Sequence, residues 1–162
     1  MEIYKGKCKL LEHVFRTNIK SQFSYIDPNT LIVYENNRVP IRSITNGNFL
    51  LLRIPSNTCD CYDPLFSKIL DFKKNTINID LLILTSNKYD FRKFYSLKNE
   101  TSNVKLALLF DTMSGLTADE VNIPTLVFCD KIYKSFKYYS FLKNDTIMLQ
   151  TFLNCVHTQI IN

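Results

Sequence analysis

The residues of this chain best suited to chemistry are its five cysteines, Cys8, Cys59, Cys61, Cys129 and Cys155. Their odd count and irregular intervals do not make the framework of a disulfide-stapled secreted domain. Cys59 and Cys61 are one residue apart, whereas redox pairs at a helix start are two apart and zinc pairs two to four. His13 and His157 each stand alone in sequence, so no metal ligand set is complete. The pattern predicts reduced cysteines, mostly buried as small apolar side chains, with no metal and no cofactor.

Other motifs stop short of a reaction centre. Asp111 follows an apolar run and would sit at the end of a strand, where α/β enzymes place catalytic acids. A phosphatase of the HAD type needs a second acid two residues later, and Met113 stands there. Cys129-Asp130-Lys131-Ile132 is similar to the guanine-specificity motif of GTPases, but no G-x-x-x-x-G-K-[ST] loop accompanies it. Gly6, Gly47 and Gly115 are the only glycines, which excludes a dinucleotide fingerprint. Ile123 to Leu126 resembles the proline-containing strand of thioredoxins, without their cysteine pair. The expectation is therefore a chain that is not an enzyme and takes no small-molecule substrate.

Charge points elsewhere. The net charge is +5, concentrated in an amino-terminal stretch from Lys5 to Arg53 and a second from Lys131 to Lys143. Aromatic residues Tyr133, Phe136, Tyr138 and Tyr139 interleave with the second, a combination that suits a polyanion. Abundant Asn, Ile, Lys, Phe and Tyr fit AT-rich coding sequence. The start Met1-Glu2-Ile3, with Glu12 soon after, lacks the Arg-rich, acid-poor character of a mitochondrial transit peptide. No apolar run approaches the about 18 residues of a membrane span.

The elements that must position these residues read as α/β. Leu31 to Tyr34 and Val39 to Ile44 are short apolar runs around a turn at Glu35-Asn36-Asn37-Arg38, and Pro40 places the second away from a sheet centre. Phe49 to Ile54 is a strand or a helix start. Asp63-Pro64 begins a helix with Leu65, Phe66, Ile69, Leu70 and Phe72 on one face. Ile77 to Leu84, Val104 to Phe110 and Ile123 to Cys129 are buried strands, with a helix through Phe91, Phe94 and Tyr95 after the first. Thr117-Ala118-Asp119-Glu120 has capping-box spacing, and Lys9 to Ile19 has imperfect helical spacing. Tyr133 to Phe141 reads as a loop and a short strand. Leu149, Phe152, Leu153, Val156 and Ile160 recur at helical spacing. Strand-helix alternation predicts a three-layer Rossmann/flavodoxin-like domain with a central parallel sheet. A single domain spans 1–162, with an irregular/β amino-terminal part at 1–55 and an α/β core at 63–162.

Several segments resemble the universal small-subunit ribosomal protein two family. They are Glu120 to Asp130, Leu106 to Asp111 and Lys143 to Ile147, with looser likeness at Leu10 to Phe15, Tyr25 to Pro28, Val33 to Ile41 and Asp80 to Lys88. The likeness leaves Ser56 to Tyr62 uncovered, and the family's helical hairpin has no counterpart. The resemblance implies a structural constituent of a mitochondrial small ribosomal subunit, organelle-encoded, partnered by small-subunit rRNA and other ribosomal proteins. Its implied rRNA-binding residues are Lys5, Lys7, Lys9, Arg16, Lys20, Arg38, Arg42, Lys88, Arg92, Lys131, Lys134 and Lys137, through phosphate contacts. The alternative is a non-catalytic Rossmann-like binding protein of an AT-rich virus, followed by a degenerate hydrolase.

Overall fold

The computed structural model describes residues 12, 15–16, 26–56, 58, 60–86, 92, 94–95, 103–109, 123–132, 135–140 and 145–161, with backbone alone at 135–138, 140 and 161. Its elements are β1 (Leu31–Tyr34), β2 (Asn37–Pro40), β3 (Phe49–Ile54), α1 (Asp63–Asn75), β4 (Asp80–Thr85), β5 (Val104–Leu109), β6 (Thr125–Cys129), β7 (Ser135–Ser140) and α2 (Thr146–Ile161). Short 3-10 turns occupy Ile41–Ser43 and Asp60–Tyr62. The expected capping box at Thr117 to Glu120 and Asp111 lie outside the described residues, as does most of the expected helix from Lys9 to Ile19.

Local chemistry explains the first hairpin. Glu35 and Asn36 both have positive φ, 49° and 66°, which gives a two-residue turn whose twist matches that of paired strands. The Asn37 side-chain amide donates to the Glu35 carbonyl at 3.1 Å. Strand β2, which ends at Pro40, is an edge strand of the sheet, where a missing N–H is tolerated.

The seven strands form one sheet in the order β2-β1-β5-β4-β3-β6-β7. β3, β4 and β5 are parallel. β6 is antiparallel to β3, β7 to β6, and β1 to both β2 and β5. The α/β class therefore stands, but the sheet is mixed rather than parallel, and the Rossmann/flavodoxin-like expectation is corrected. A run of apolar residues reports a strand buried on both faces and carries no sign of its direction. Thr125 pairs with Arg53, so the chain re-enters the sheet at the carboxyl end of β3, where a further parallel crossover would have brought it to the amino end.

All six residues of β3 are buried, and their alternation divides the core in two. Leu50, Leu52 and Ile54 face a cluster with Leu65, Phe66, Ile69 and Leu70 of α1 and Leu149, Phe152, Leu153 and Val156 of α2. Phe49 and Leu51 face the other cluster, with Ile32, Leu82, Leu84, Leu109 and Val127. Each such side chain contributes roughly 1.5–3 kcal/mol by leaving water, so both helices are held by one face of the sheet.

The helix ends are closed locally. Asp145 Oδ1 accepts the Met148 N–H at 3.0 Å and caps α2, while the Tyr139 hydroxyl donates to the Asp145 carbonyl at 3.2 Å. At the end of α1 the buried Lys73 ammonium donates to the Thr76 carbonyl at 3.1 Å. Burial lowers the Lys73 pKa, and the nearby Asp80 charge partly opposes this.

Among the described residues, one buried polar side-chain atom has no hydrogen-bond partner, the Thr125 hydroxyl oxygen at the start of β6. Replacing it with the near-isosteric valine removes a desolvation penalty and keeps the β-branched shape. Thr125→Val should raise stability by about 1 kcal/mol, read as a higher urea midpoint with an unchanged m-value; an unchanged or lower midpoint would show that the hydroxyl makes a contact worth its burial.

Candidate functional site

The carboxyl ends of β3 and β4 and the amino end of β6 lie together, through the pairings Ile54 with Thr85 and Arg53 with Thr125. From this edge the chain leaves β3 through Pro55, where the Thr58 hydroxyl donates to the Pro55 carbonyl at 2.8 Å. It then makes the 3-10 turn Asp60–Tyr62 and enters α1 at Asp63, with Pro64 in the first turn. Cys61 sits in that turn, half-buried, two residues before the helix.

Cys61 is disulfide-bonded. Cys129 and Cys155 are free, the first buried and the second exposed, so the other sulfur of the bond lies outside the described residues. The expectation of reduced, mostly buried cysteines is corrected for Cys61 by its bond and for Cys155 by its exposure. The strand-to-helix reversal explains the first: it places Cys61 at a sheet edge where the chain folds back, rather than inside a packed layer. Cys129 keeps the expected apolar role. Burial pushes its thiol pKa well up, with Asp130 adding to the shift, so it stays protonated and unreactive.

Aromatic packing fixes the turn. The Tyr62 ring stacks on Phe66 at 6.3 Å between centroids, and Phe66 meets Phe94 edge-on at 5.3 Å. Burial also raises the Tyr62 phenol pKa. These contacts hold the first turn of α1 against the sheet and fix the direction in which its amide end points. Free amides at a helix start favour negative charge nearby, including a thiolate. Asp60 and Asp63 flank Cys61 and act in the opposite sense.

Arg53 is the second unusual residue here. It is 2 % exposed in a strand that otherwise reads Phe, Leu and Ile. Its Nη1 donates to the carbonyls of Ile54 at 2.6 Å and Leu84 at 3.3 Å, and its Nη2 donates to Ser86 Oγ at 2.5 Å.

The expected rRNA-binding residues do not gather into one surface among the described residues. Arg38 is exposed on the edge strand β2, Arg42 is exposed in the following turn, and Lys131 is exposed in the turn before β7, at the opposite edge. Six strand spacings, roughly 29 Å, separate those edges. Arg16 is exposed and paired with Glu12 at 2.7 Å, and Arg92 is exposed. Lys137 lies on β7, while Lys5, Lys7, Lys9, Lys20, Lys88 and Lys134 lie outside the described residues. His157 is exposed on α2 with its ring edge-on to Phe72 at 6.4 Å. It lines an open groove of about 420 Å³ between the two helices, with Lys68, Asp71, Asn75 and Asn154. Neither Cys61 nor Arg53 lines that groove.

No family model matches this chain, and no curated protein matches it. Solved structures do. A thiol peroxidase from Chromobacterium violaceum is similar with a TM-score of 0.61 and 9% identity, covering 85% of this chain and 87% of its own. A putative electron transfer protein from Aquifex aeolicus VF5 gives 0.59 and 11%, covering 82% and 92%. A cysteine-to-serine mutant of PrxQ from Xylella fastidiosa gives 0.56 and 13%, covering 86% and 99%. The fold is thioredoxin-like, of the kind found in peroxiredoxins. This overturns the ribosomal resemblance, and with it the mitoribosomal role and the rRNA and ribosomal-protein partners. It also counts against the expectation that the chain is not an enzyme, and gives no support to the viral Rossmann-like alternative.

Sequence reasoning did not single out Arg53 or Cys61 as candidate site residues. An arginine inside an apolar strand, and a cysteine two residues before a helix start, were the available signals. With an alkylating reagent on the native, unreduced chain, Cys155 should be modified, and Cys129 and Cys61 should not. After reduction Cys61 should join Cys155, as read by peptide mass spectrometry. Modification of Cys61 without reductant would contradict its disulfide.

Proposed function

We propose that this chain is a thiol-disulfide redox protein whose electron-carrying sulfur is Cys61. The observation that carries the reading is the disulfide at Cys61, in the strand-to-helix connection at the carboxyl edge of the parallel strands. That edge is where open α/β sheets leave room for ligands, because the connecting loops diverge there. The amide end of α1 supports an ionised sulfur, and the rigid β3 sets where it is held. Two of the structural neighbours are described as thiol peroxidase and as having alkyl peroxide reduction activity, which makes a hydroperoxide the oxidant of choice.

The chemistry balances as follows. In the reduced protein the Cys61 thiolate attacks the distal oxygen of a hydroperoxide, the O–O bond breaks, and the alkoxide leaves with a proton as alcohol. The sulfenic acid so formed condenses with a second thiol of the chain, forming the disulfide and releasing water. An external dithiol restores both thiols by exchange, becoming a disulfide itself.

In an assay with hydrogen peroxide and dithiothreitol, the wild-type chain should consume peroxide above the dithiothreitol background, and Cys61→Ser should fall to that background. Cys155→Ser and Cys129→Ala should keep most of the rate, since neither sulfur is in the bond. A Cys61→Ser variant as active as wild type, or a Cys61 disulfide that dithiothreitol neither opens nor peroxide closes, would defeat the reading.

A further inference from the structure

The Cys61 bond leaves two candidates for its other sulfur. Cys129 and Cys155 are free, so of the five cysteines only Cys8 and Cys59 can hold it. The local backbone weighs against Cys59. Asp60–Tyr62 is a 3-10 turn that runs directly into α1, and successive side chains in such a turn step round its axis by a third of a circle. Positions two apart on a helix do not face each other, whereas a disulfide needs Cβ atoms about 3.5–4.5 Å apart on converging vectors. Cys59 adjoins the turn and Cys61 lies within it.

The sheet topology favours Cys8, which itself lies outside the described residues. β1 runs antiparallel to β5, with its second residue, Ile32, opposite Leu109, the last residue of β5. The amino-terminal part of the chain therefore joins the sheet at the carboxyl edge of the parallel strands, the edge from which the loop to Cys61 departs. Ile26 is buried in one cluster with Ile32, Leu84 and Leu109, which anchors the chain there. β1 and β3 are separated by three strand spacings, roughly 14 Å. From Ile26 back to Cys8 the chain would reach roughly 27 Å even if wound wholly as α-helix. Resting on the redox reading of Cys61, we propose that Cys8 is the second thiol of that reaction. The Cys8 thiolate attacks the sulfur of the Cys61 sulfenic acid; the S–O bond breaks as the S–S bond forms, and the departing hydroxide takes up a proton as water. An external dithiol then opens the bond by exchange, restoring both thiols and becoming a disulfide itself.

The test uses the full chain. Unreduced protein is alkylated in denaturant, cleaved on the amino side of Asp60 to part Cys59 from Cys61, and its peptides are analysed by mass spectrometry before and after reduction. The Cys8 and Cys61 peptides should appear as one mass that splits on reduction, while Cys59, Cys129 and Cys155 carry the alkyl label. In a second arm, reduced and desalted protein is treated with stoichiometric hydrogen peroxide. Cys8→Ser should lose the disulfide and accumulate a Cys61 sulfenic acid that dimedone traps, whereas Cys59→Ser should re-form the bond as wild type does. A Cys59–Cys61 link in the wild type, or a Cys8→Ser chain that forms its bond as fully as wild type, overturns the proposal. The wild-type map decides alone should Cys8→Ser fail to fold. The outcomes separate two failures. If wild-type Cys61 neither yields a sulfenic acid nor re-forms its disulfide with peroxide, the redox reading falls and this proposal with it; if Cys61 cycles with Cys59 as its partner, only the role of Cys8 falls.

Discussion

Strand β3 is hydrogen-bonded along both edges and buried on both faces, parallel to β4 on one side and antiparallel to β6 on the other. A strand so enclosed has no backbone group to spare for function and no side chain that reaches solvent. Whatever it contributes must come from its ends. Because β6 runs the opposite way, its first residue lies beside the end of β3, together with Thr85 and the start of the loop to Cys61. The direction of one neighbouring strand therefore decides which residues share that edge. The burial of five apolar side chains in β3 supplies the rigidity that keeps them there.

Two buried cations sit at opposite ends of this framework and are handled differently. Lys73, at the end of α1, gives its ammonium to the Thr76 carbonyl and lies near Asp80, which itself pairs with Lys105 at 2.5 Å. That arrangement closes a helix and holds the amino ends of β4 and β5, and burial draws the Lys73 pKa down, as it does for a cation with incomplete compensation. Arg53 gives its donors to two carbonyls and a hydroxyl at the carboxyl ends. An arginine does not escape burial by losing its proton. Burial draws the first toward neutrality, whereas the second is a permanent charge at the carboxyl ends of β3 and β4.

Much of this architecture was legible in the residues. Asp63-Pro64 marked the start of α1, the apolar runs marked β4, β5 and β6 within a few residues, and Tyr133 to Phe141 held the strand β7 in place of a helix. The hairpin turn fell one residue earlier than the paired asparagines suggested, with Glu35 taking a positive φ that is uncommon for its type. Sheet direction was not legible, because a strand buried on both faces shows the same composition whichever way it runs. The state of Cys61 was not legible either. A spacing rule for cysteine pairs tests only neighbours in sequence, while a sulfur's partner is set by the path of the chain in space.

The ribosomal resemblance failed for a related physical reason. Two of its strongest segments, Glu120 to Asp130 and Leu106 to Asp111, overlap the strands β6 and β5 of an α/β sheet. Such strands draw on few residue types, because Val, Ile, Leu and Phe best fill a layer covered on both sides. Agreement there attests to burial and says little about ancestry or chemistry. The residues that separate one α/β function from another lie where strands end, since only there do side chains combine shelter with access. In this chain one strand end of that kind leads through Arg53 to Asp63, and the resemblance left Ser56 to Tyr62 uncovered. A likeness that fits the core and passes over the sheet edge has matched the part of the fold that many functions share, and has missed the part that chooses among them.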